Sequence, residues 1–280
     1  MNILTFDIEE WWHFDVYSKE DQWDTYEPRI DLYLNRVLDE LDLRNIKATF
    51  FCLGWIARKY PQVIKKIAEK GHEIACHTDK HIFVKDMTPE SFNKDLEIAL
   101  YSIECISGKK IKSFRAPAFT ITENEKWAFD VLKQNGIEYD CSIFPTSRSY
   151  GGFPNFGEGK PTLISYNGSI IKEFPINTGC FLGKKFVFGG GGYFRLFPYL
   201  LIKRLMQQSD YNMTYLHMRD FDHEQYRFKY FTFERTFKSY YGLKGAYSKF
   251  LYLLSDYEWI SVENAGKQIN WNEVRKLHLE

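Results

Sequence analysis

Two histidines four residues apart, His77 and His81, are the side chains whose type and spacing best suit metal binding. On a helix or a tight helical turn, residues i and i+4 lie on one face, so both imidazole rings could bind one cation. Imidazole is a good ligand for zinc and its first-row neighbours, and a catalytic site needs one further protein ligand. The spacing therefore predicts a two-histidine metal site that requires a third ligand.

Carboxylates near the N-terminus could supply that ligand. Asp7, Glu9 and Glu10 follow the apolar run 3–6, which is typical of a short buried strand. Because side chains alternate along a strand, Asp7 and Glu9 project the same way, whereas Glu10 tends to point to the opposite side. One carboxylate could complete the metal site while another remains free as a base.

An arginine and a late histidine also follow strand-like runs. Arg115 can hold a carboxylate in a fixed orientation through a two-pronged contact. His217 comes directly after the apolar run 213–216 and could act as a general acid, with an aspartate orienting its ring. These residues add a base, its clamp and an acid to the predicted metal site.

The elements that must position these residues alternate between short apolar strands and helices, which predicts an α/β fold with a parallel sheet, open or closed into a barrel. In such folds the chemistry collects at the carboxyl ends of the strands. Four candidate residues fall at predicted strand ends: Asp7, His77, Arg115 and Asp140. The predicted strands are 3–6, 48–53, 73–76, 112–115, 137–140 and 213–218, and the predicted helices are 31–43, 61–70, 88–107, 122–134 and 197–208.

The rest of the chain gives weaker signals. Residues 151–188 are rich in glycine and proline and are predicted to be loops, and Gly189 to Gly192 is predicted to be a flexible turn. This glycine run lacks the Lys-Ser/Thr of a phosphate-binding loop. With no repeat or linker, we expect one domain over residues 1–280, with a catalytic core at about 1–225 and a helical extension at about 226–280.

Composition excludes several classes of protein. The net charge is zero, so electrostatic capture of nucleic acid or of an anionic membrane is not expected. Five scattered cysteines without a Cys-x-x-Cys pair fit a reducing compartment. Without a signal-peptide pattern or a run of about 18 apolar residues, we expect a cytoplasmic protein, with peripheral membrane association left open.

Taken together, the motifs resemble those of the polysaccharide deacetylases, carbohydrate esterase family 4, whose fold is the NodB-homology fold. The resemblance covers roughly residues 1–225, and the variants at Asp7 to Trp11 and Arg115 to Phe119 are similar to the branch found in exopolysaccharide and surface-glycan gene clusters. The matching segments are Thr5-Phe6-Asp7, Ala48 to Phe51, Gly71 to His81, Phe114-Arg115-Ala116-Pro117 and Leu216-His217.

The resemblance implies a distorted (β/α) barrel of about seven parallel strands and a divalent metal, most commonly Zn²⁺, with Co²⁺, Ni²⁺ or Mn²⁺ as alternatives. The family usually has two adjacent aspartates in its first motif, but here Ile8 takes the second place. By similarity to relatives that read Asp-x-Asp/Glu, Asp7 is assigned as the base and Glu9 as the ligand beside His77 and His81. Glu10 is the alternative ligand, and a metal-free site, as in allantoinase-like relatives, is also open.

The implied reaction is hydrolysis of the N-acetyl group of an amino sugar in bacterial surface-glycan biosynthesis. Asp7, held by Arg115, would deprotonate water, and His217 would protonate the departing amine. The backbone N–H of Ala118 would stabilise the oxyanion. Asp140 is predicted to orient His217, with Asp222 as the alternative.

Several alternatives stay open at this point. The chain could hydrolyse another amide, as a sugar deformylase or an allantoinase-like enzyme would, or it could bind glycans without catalysis. The sugar could be nucleotide-linked, lipid-linked or oligomeric, and the oligomeric state is not predicted. Aromatic residues are 18% of the chain, and Trp11, Trp12 and Phe119 are candidate platforms for a sugar ring.

Overall fold

A computed structural model describes residues 1–14, 18–148, 150–181 and 184–280. Its strands are named here in chain order. They are β1 (Asn2–Ile3), β2 (Thr5–Ile8), β3 (Thr49–Cys52), β4 (Glu73–Cys76), β5 (Ser113–Phe114), β6 (Tyr139–Asp140), β7 (Thr162–Tyr166), β8 (Ser169–Glu173), β9 (Gly179–Phe181), β10 (Lys184–Phe186), β11 (Asn212–Met213), β12 (Leu216–His217) and β13 (Arg275–His278).

One sheet of nine strands, in the order β12-β2-β3-β4-β5-β6-β8-β7-β13, organises the molecule. The seven strands from β12 to β8 run parallel, as the sequence predicts, and β7 then pairs antiparallel with β8. β1 and β11 form a separate parallel pair. Among the described residues, no ladder joins β12 to β13, so hydrogen bonds do not close the barrel.

Helices pack around this sheet and cover its outer face. They are α1 (Ile30–Leu43), α2 (Gly54–Lys59), α3 (Pro61–Glu69), α4 (Pro89–Ser107), α5 (Trp127–Gln134), α6 (Gly191–Leu196), α7 (Tyr199–Met206), α8 (Phe233–Tyr240), α9 (Leu243–Asp256) and α10 (Val262–Gln268). None of the helices in the described ranges is both long enough and apolar enough to cross a bilayer.

The long helix α4 shows how local sequence sets an element. Thr88 and Ser91 cap its start reciprocally, each side chain accepting the other residue's backbone N–H, and Pro89 fits the first turn. Gly108 ends the helix in the left-handed region at φ 66°. The boundaries predicted from these residues are therefore confirmed.

Alternation along the strands creates two cores. Phe6, Phe50 and other strand residues on the same face of the sheet pack against the helices. Full burial of such a side chain stabilises the fold by roughly 1.5–3 kcal/mol. Residues on the opposite face of the sheet, including Phe51 and Ala75, face the barrel interior. Asp7 is in register with Phe51 and belongs to this interior set, which is why a carboxylate lies among apolar side chains.

The prediction of loops over 151–188 is wrong. β7 and β8 form a hairpin joined by Asn167 and Gly168, both at positive φ, and β9 and β10 form a second hairpin. Asn-Gly between alternating strands is a strong hairpin signal, because both turn positions need positive φ. The flexible turn predicted for Gly189 to Gly192 is wrong in its second half, because Gly191 and Gly192 are the first two residues of α6.

The segment after residue 225 contains α8, α9 and α10, as expected of a helical extension, but it also contributes a strand. β13 pairs in parallel with β7, from Arg275 opposite Thr162 to His278 opposite Ser165. The extension therefore completes one edge of the main sheet.

Candidate active site

The candidate residues lie at the carboxyl edge of the sheet. Register aligns Ile8 with Cys52, and Cys52 with Cys76, so the next residues along β2 and β4, Glu9 and His77, leave the sheet at one level. His217 ends β12 opposite Asp7. Residues from distant parts of the chain are thus brought together by parallel pairing alone.

Glu9, His77 and His81 form a compact cluster. One ligand atom from each lies within 4.8 Å of the other two, and the Nε2 atom of His81 is 2.7 Å from Oε2 of Glu9. Apart from that ring nitrogen, the buried carboxylate oxygen has no polar partner among the described residues. Two imidazole rings and one carboxylate fit the ligand set of a catalytic zinc site.

A second contact fixes the tautomer of one ligand. The Nδ1 atom of His77 lies 2.7 Å from the carbonyl oxygen of Arg115, which can only accept, so Nδ1 carries the proton. The unprotonated Nε2 is then available to a metal ion, an arrangement common to metal-binding histidines. Burial also lowers the pKa of His77 to about 4, which keeps the ring neutral.

The expected helical turn between the two histidines is wrong. The segment from His77 to His81 is a loop in which Thr78 and His81 adopt φ values of 70° and 61°. The backbone N–H groups of Gly54 and Trp55, at the start of α2, donate to the carbonyl oxygens of Thr78 and Asp79 at 3.0 and 2.9 Å. This support from α2 brings the two rings to 5.3 Å between centroids without a helix.

Glu9, rather than Glu10, faces the histidines. Although burial opposes its charged form, His81 and His217 lower the pKa of the Glu9 carboxyl well below its usual range. The carboxylate of Glu10 instead accepts the backbone N–H groups of Arg29 and Ile30, at the start of α1, at 3.0 Å. Glu10 therefore caps the start of α1, and burial, which outweighs these hydrogen bonds, raises the pKa of its carboxyl to about 7.

Asp7 is paired with a completely buried arginine. Nη1 of Arg115 is 2.7 Å from Oδ1 of Asp7 and also donates to Oγ1 of Thr5 at 2.8 Å. The guanidinium lies 4.1 Å from the ring centroid of Phe51, and Nε donates to the carbonyl of Cys141. Arg115 thus holds Asp7 through one nitrogen and one oxygen, and the predicted two-pronged contact is wrong because the other guanidinium nitrogens contact Cys141 and Met213. Oδ2 of Asp7 remains available on the side facing His217, 3.6 Å from its Nε2.

His217 is oriented by Asp220. Its Nδ1 atom lies 3.0 Å from Oδ2 of Asp220, whose other oxygen is 3.0 Å from Nε of the buried Arg195. Although burial favours the neutral ring, the hydrogen bond that Nδ1–H of His217 donates to the Asp220 carboxylate raises the pKa of His217 to about 9. The ring is therefore protonated at neutral pH, with Nε2 directed toward Asp7 and Glu9.

The carboxylates predicted to orient His217 lie elsewhere, so that expectation is corrected. Asp222 forms an ion pair with Arg29. Asp140 is fully buried and accepts a hydrogen bond from Ser142 Oγ at 2.5 Å. A 3₁₀ turn after His217 brings Asp220 back to the ring, a geometry that spacing alone does not reveal.

Asp140 instead supports the loop that carries Ala118. Ser142 Oγ, held by Asp140, accepts the backbone N–H of Ala116 at 2.8 Å. Two residues on, Ala118 adopts a left-handed conformation at φ 50° and is partly exposed, whereas Pro117 and Phe119 on either side are buried. The loop thus leaves Ala118 less buried than either of its neighbours, and its role at the oxyanion stays a prediction.

Other histidines and aromatic residues have different places. Trp11, Trp12 and Phe119, the candidate sugar platforms, are all at most 5% exposed, so they are core side chains. Sequence reasoning missed His13, which is buried against Trp23 and accepts the backbone N–H of Glu10 at Nδ1. Burial lowers the pKa of His13 to about 3, so it adds no charge beside the cluster.

Comparison with known families divides the chain in two. Residues 15–139 match the family described as polysaccharide deacetylase, and residues 141–267 match a domain of unknown function, DUF3473. The first match contains His77, His81 and Arg115, and the second contains His217 and Asp220. The combination is that of the exopolysaccharide-cluster branch, as predicted from the motifs.

Curated relatives match part of the chain. A peptidoglycan-N-acetylglucosamine deacetylase of Bacillus cereus is 33% identical over 114 residues, which are 40% of this chain and 42% of the relative. Chitin deacetylase 1 of Saccharomyces cerevisiae is 29% identical over 91 residues, 32% of this chain and 29% of the relative. The chain therefore matches less than half the length of these relatives.

Solved structures share the fold over the whole chain. A Mycobacterium smegmatis crystal structure assigned to the polysaccharide deacetylases aligns with a TM-score of 0.68 at 15% identity, covering 100% of this chain and 93% of the other. A carbohydrate esterase family 4 pseudoenzyme from Bacillus anthracis aligns with a TM-score of 0.52 at 14% identity, covering 100% and 69%. Because a pseudoenzyme shares the fold, activity must be argued from the site itself.

Proposed function

We propose that this chain, whose residues 15–139 match the polysaccharide deacetylase family, hydrolyses the N-acetyl group of an amino sugar in a bacterial surface glycan, releasing acetate and a free amine. One observation carries the proposal. An aspartate clamped by a buried arginine and a protonated histidine clamped by an aspartate face each other beside a three-ligand cluster.

Glu9, His77 and His81 would hold a divalent metal ion, most commonly zinc in this family. Such an ion, when bound, polarises the acetyl carbonyl and lowers the pKa of a bound water. The donor set fits this role because Glu9 and His77 are both buried, and Oε2 of Glu9 has no polar partner among the described residues other than the ring of His81.

Asp7 would act as the general base. Arg115 holds one of its oxygens at 2.7 Å and leaves the other to accept a proton from the attacking water. The oxygen of that water forms a bond to the acetyl carbon, and the carbonyl oxygen becomes an oxyanion. The backbone N–H of Ala118 would donate to this oxyanion, a contribution of roughly 3 kcal/mol for one such donor.

His217 would act as the general acid. An amide nitrogen is a poor leaving group, so the C–N bond breaks only as the nitrogen gains a proton. The ring is charged at neutral pH because of Asp220, and its Nε2 atom lies 3.6 Å from the base. The proton moves from His217 to the amine, and acetate is released.

Acetate release and metal content test the proposal together. Purified protein is incubated with N-acetylated oligosaccharides, lipid-linked N-acetyl sugars and a nucleotide-linked N-acetyl sugar, and bound metal is measured by elemental analysis. We expect acetate release and about one divalent ion per chain. Asp7→Asn should keep the metal and abolish acetate release, whereas His77→Ala and His81→Ala should each reduce bound metal.

Four outcomes would count against this proposal. Acetate release retained in Asp7→Asn would refute the base assignment, and unchanged metal content in both histidine variants would refute the ligand set. Formate release in place of acetate would indicate the deformylase alternative, and glycan binding without any hydrolysis would indicate a non-catalytic relative.

A further inference from the structure

A cleft of about 280 Å³ lies on the loops that follow β2 and β12. We call it the tyrosine cleft, and its lining residues are Gln22, Tyr26, Tyr226, Phe228 and Tyr230. Both loops leave the carboxyl edge of the sheet, the edge that also carries Glu9 and His217. The cleft is therefore on the same face of the molecule as the candidate active site.

The lining combines aromatic surface with neutral polar groups. Tyr226 and Tyr230 are 51% and 58% exposed, whereas Phe228 is buried and forms the floor. Gln22 adds an amide, whose oxygen is 3.3 Å from the hydroxyl of Tyr26. Rings of this kind offer an apolar face with a polar tip, which suits a ligand that has both apolar and hydroxyl-bearing faces.

Charge distinguishes between possible ligands. Arg227 and Lys229 alternate with the three aromatic residues along the chain and are not part of the lining, so the described residues of the cleft include no cation. A nucleotide or diphosphate carrier would call for arginine, lysine or a helix N-terminus. An uncharged pyranose ring is the ligand class that the lining fits.

Trp11 connects the tyrosine cleft to the metal cluster. Its ring lies 5.0 Å from Tyr26 and 5.2 Å from Tyr226 between centroids, and it comes two residues after Glu9. Its indole N–H donates to the carbonyl of Glu27, which holds the ring in place. Trp11 is therefore a buried, fixed side chain that packs behind the cleft residues and lies in the same chain segment as the candidate ligand Glu9.

The loop that carries the aromatic side chains is also held in place. The amide nitrogen of Gln225 donates to the carbonyls of Arg219 and Asp222, both at 2.7 Å. The backbone N–H of Phe228 donates to the hydroxyl of Tyr240 at 3.1 Å. A cleft held by contacts of this kind can bind without first being ordered, which favours affinity.

We propose that the tyrosine cleft binds an uncharged sugar residue of the same oligosaccharide whose N-acetylated residue lies at the active site. The inference rests on the proposed function and narrows it, because an oligomeric glycan becomes the substrate in preference to a nucleotide-linked monosaccharide. Tyr226 and Tyr230 supply stacking surface, and Gln22 and the tyrosine hydroxyls bond the sugar hydroxyls.

Chitin oligosaccharides of one to five residues are the probe for this cleft. Acetate release is measured for the wild type, Tyr226→Ala, Tyr230→Ala and the double variant, with Tyr101→Ala as the matched control. Tyr101 is 74% exposed on α4 and lies outside the cleft lining. We expect kcat/KM of the wild type to rise with chain length and each single variant to lose about three- to tenfold of that preference.

Binding to the Asp7→Asn protein, measured by calorimetry, separates this inference from the proposed function. Weaker oligosaccharide binding after Tyr226→Ala in the Asp7→Asn protein would support sugar binding in the cleft. That support would hold even if the wild type released no acetate from any substrate, a result that would refute only the proposed function. Acetate release that does not depend on chain length would contradict sugar binding in the cleft without contradicting the proposed function. A preference for longer oligosaccharides that both tyrosine variants leave unchanged would do the same. A nucleotide-linked sugar preferred over every oligosaccharide would also overturn it.

Discussion

Glu9 and Glu10 are chemically identical neighbours with different tasks, and the backbone decides which has which. Glu9 continues β2 toward His81, whereas Glu10 turns back to the first N–H groups of α1. Alternation along the strand predicted this separation from the sequence. The sequence could not show that the backbone N–H groups at the start of α1 donate to the Glu10 carboxylate.

The pair gives a matched test of the metal ligand. Glu9→Gln removes a charged ligand and should sharply reduce bound metal, because a carboxamide is a weaker ligand for zinc than a carboxylate. Glu10→Gln should keep wild-type metal content and change the free energy of unfolding by no more than about 1 kcal/mol. Elemental analysis and denaturant unfolding measure both quantities, and the reverse pattern of metal loss would reassign the ligand to Glu10.

Asp220 controls the protonation of His217, which gives a prediction about pH. A general acid works only while protonated, so activity should fall as the pH rises through the pKa of His217, about 9. Asp220→Asn removes the hydrogen bond that raises this pKa, so the alkaline limb of the kcat/KM profile should move to lower pH. Asp140→Asn should leave the position of that limb unchanged, because Asp140 contacts Ser142 instead. A shift in Asp140→Asn with none in Asp220→Asn would contradict the orientation described here.

At the scale of elements, strands and helices with strong signals were predictable, and the turns between them were not. α4 begins and ends at its capping residues, and Arg115 leaves β5 as expected. The histidine spacing predicts a helical turn from His77 to His81, but the structure has a loop there. Its positive-φ residues, Thr78 and His81, are not glycine, so the sequence does not indicate their conformation. Such conformations depend on tertiary support, here from α2, and carry no local signal.

That support makes Gly54 a sensitive position. A Cβ atom there would lie 2.3 Å from Oδ1 of Asp79 and 2.7 Å from Cα of Ala99, so Gly54→Ala must displace the histidine loop or α4. We expect a loss of roughly 1–3 kcal/mol in the free energy of unfolding and weaker metal binding. Gly245→Ala in α9, where a Cβ meets nothing within 4 Å, should be neutral or stabilising. Thermal unfolding and metal titration measure the difference, and equal behaviour of both variants would argue against loop support by α2.

At the scale of the molecule, the parallel order of strands was predictable from the alternation of elements. The edge strand β13 was not predictable from the sequence. Its pairing with β7 joins segments more than a hundred residues apart, in a part of the chain where hydrophobic periodicity is weak. The unclosed barrel follows from the same cause, since ladder closure depends on geometry and not on composition.

Metal removal should change the stability of the whole molecule without unfolding it. The cluster is built on strands buried in two apolar cores, so the chain should remain folded when a chelator removes the ion. Metal at about 100 times its Kd should stabilise the native state by roughly 2.7 kcal/mol and raise Tm by several degrees. Differential scanning calorimetry with and without chelator measures the shift, which should vanish in His77→Ala. Complete unfolding by the chelator would show that the metal, and not the cores, holds the fold.

The pairing of β2 with β12 has a consequence for synthesis of the chain. Thr5 and Thr214, which are hydrogen-bonded beside this pairing, are 209 positions apart. At roughly 5–20 residues per second on the ribosome, His217 follows Asp7 by about 10–40 s. During that interval β2 can pair with β3, but its other edge waits without its native partner, and an exposed edge invites pairing with other chains. Assembly of the base with its acid must thus wait until more than three quarters of the chain has been made, and a nascent chain that stalls before β12 lacks the acid and keeps an open edge on β2.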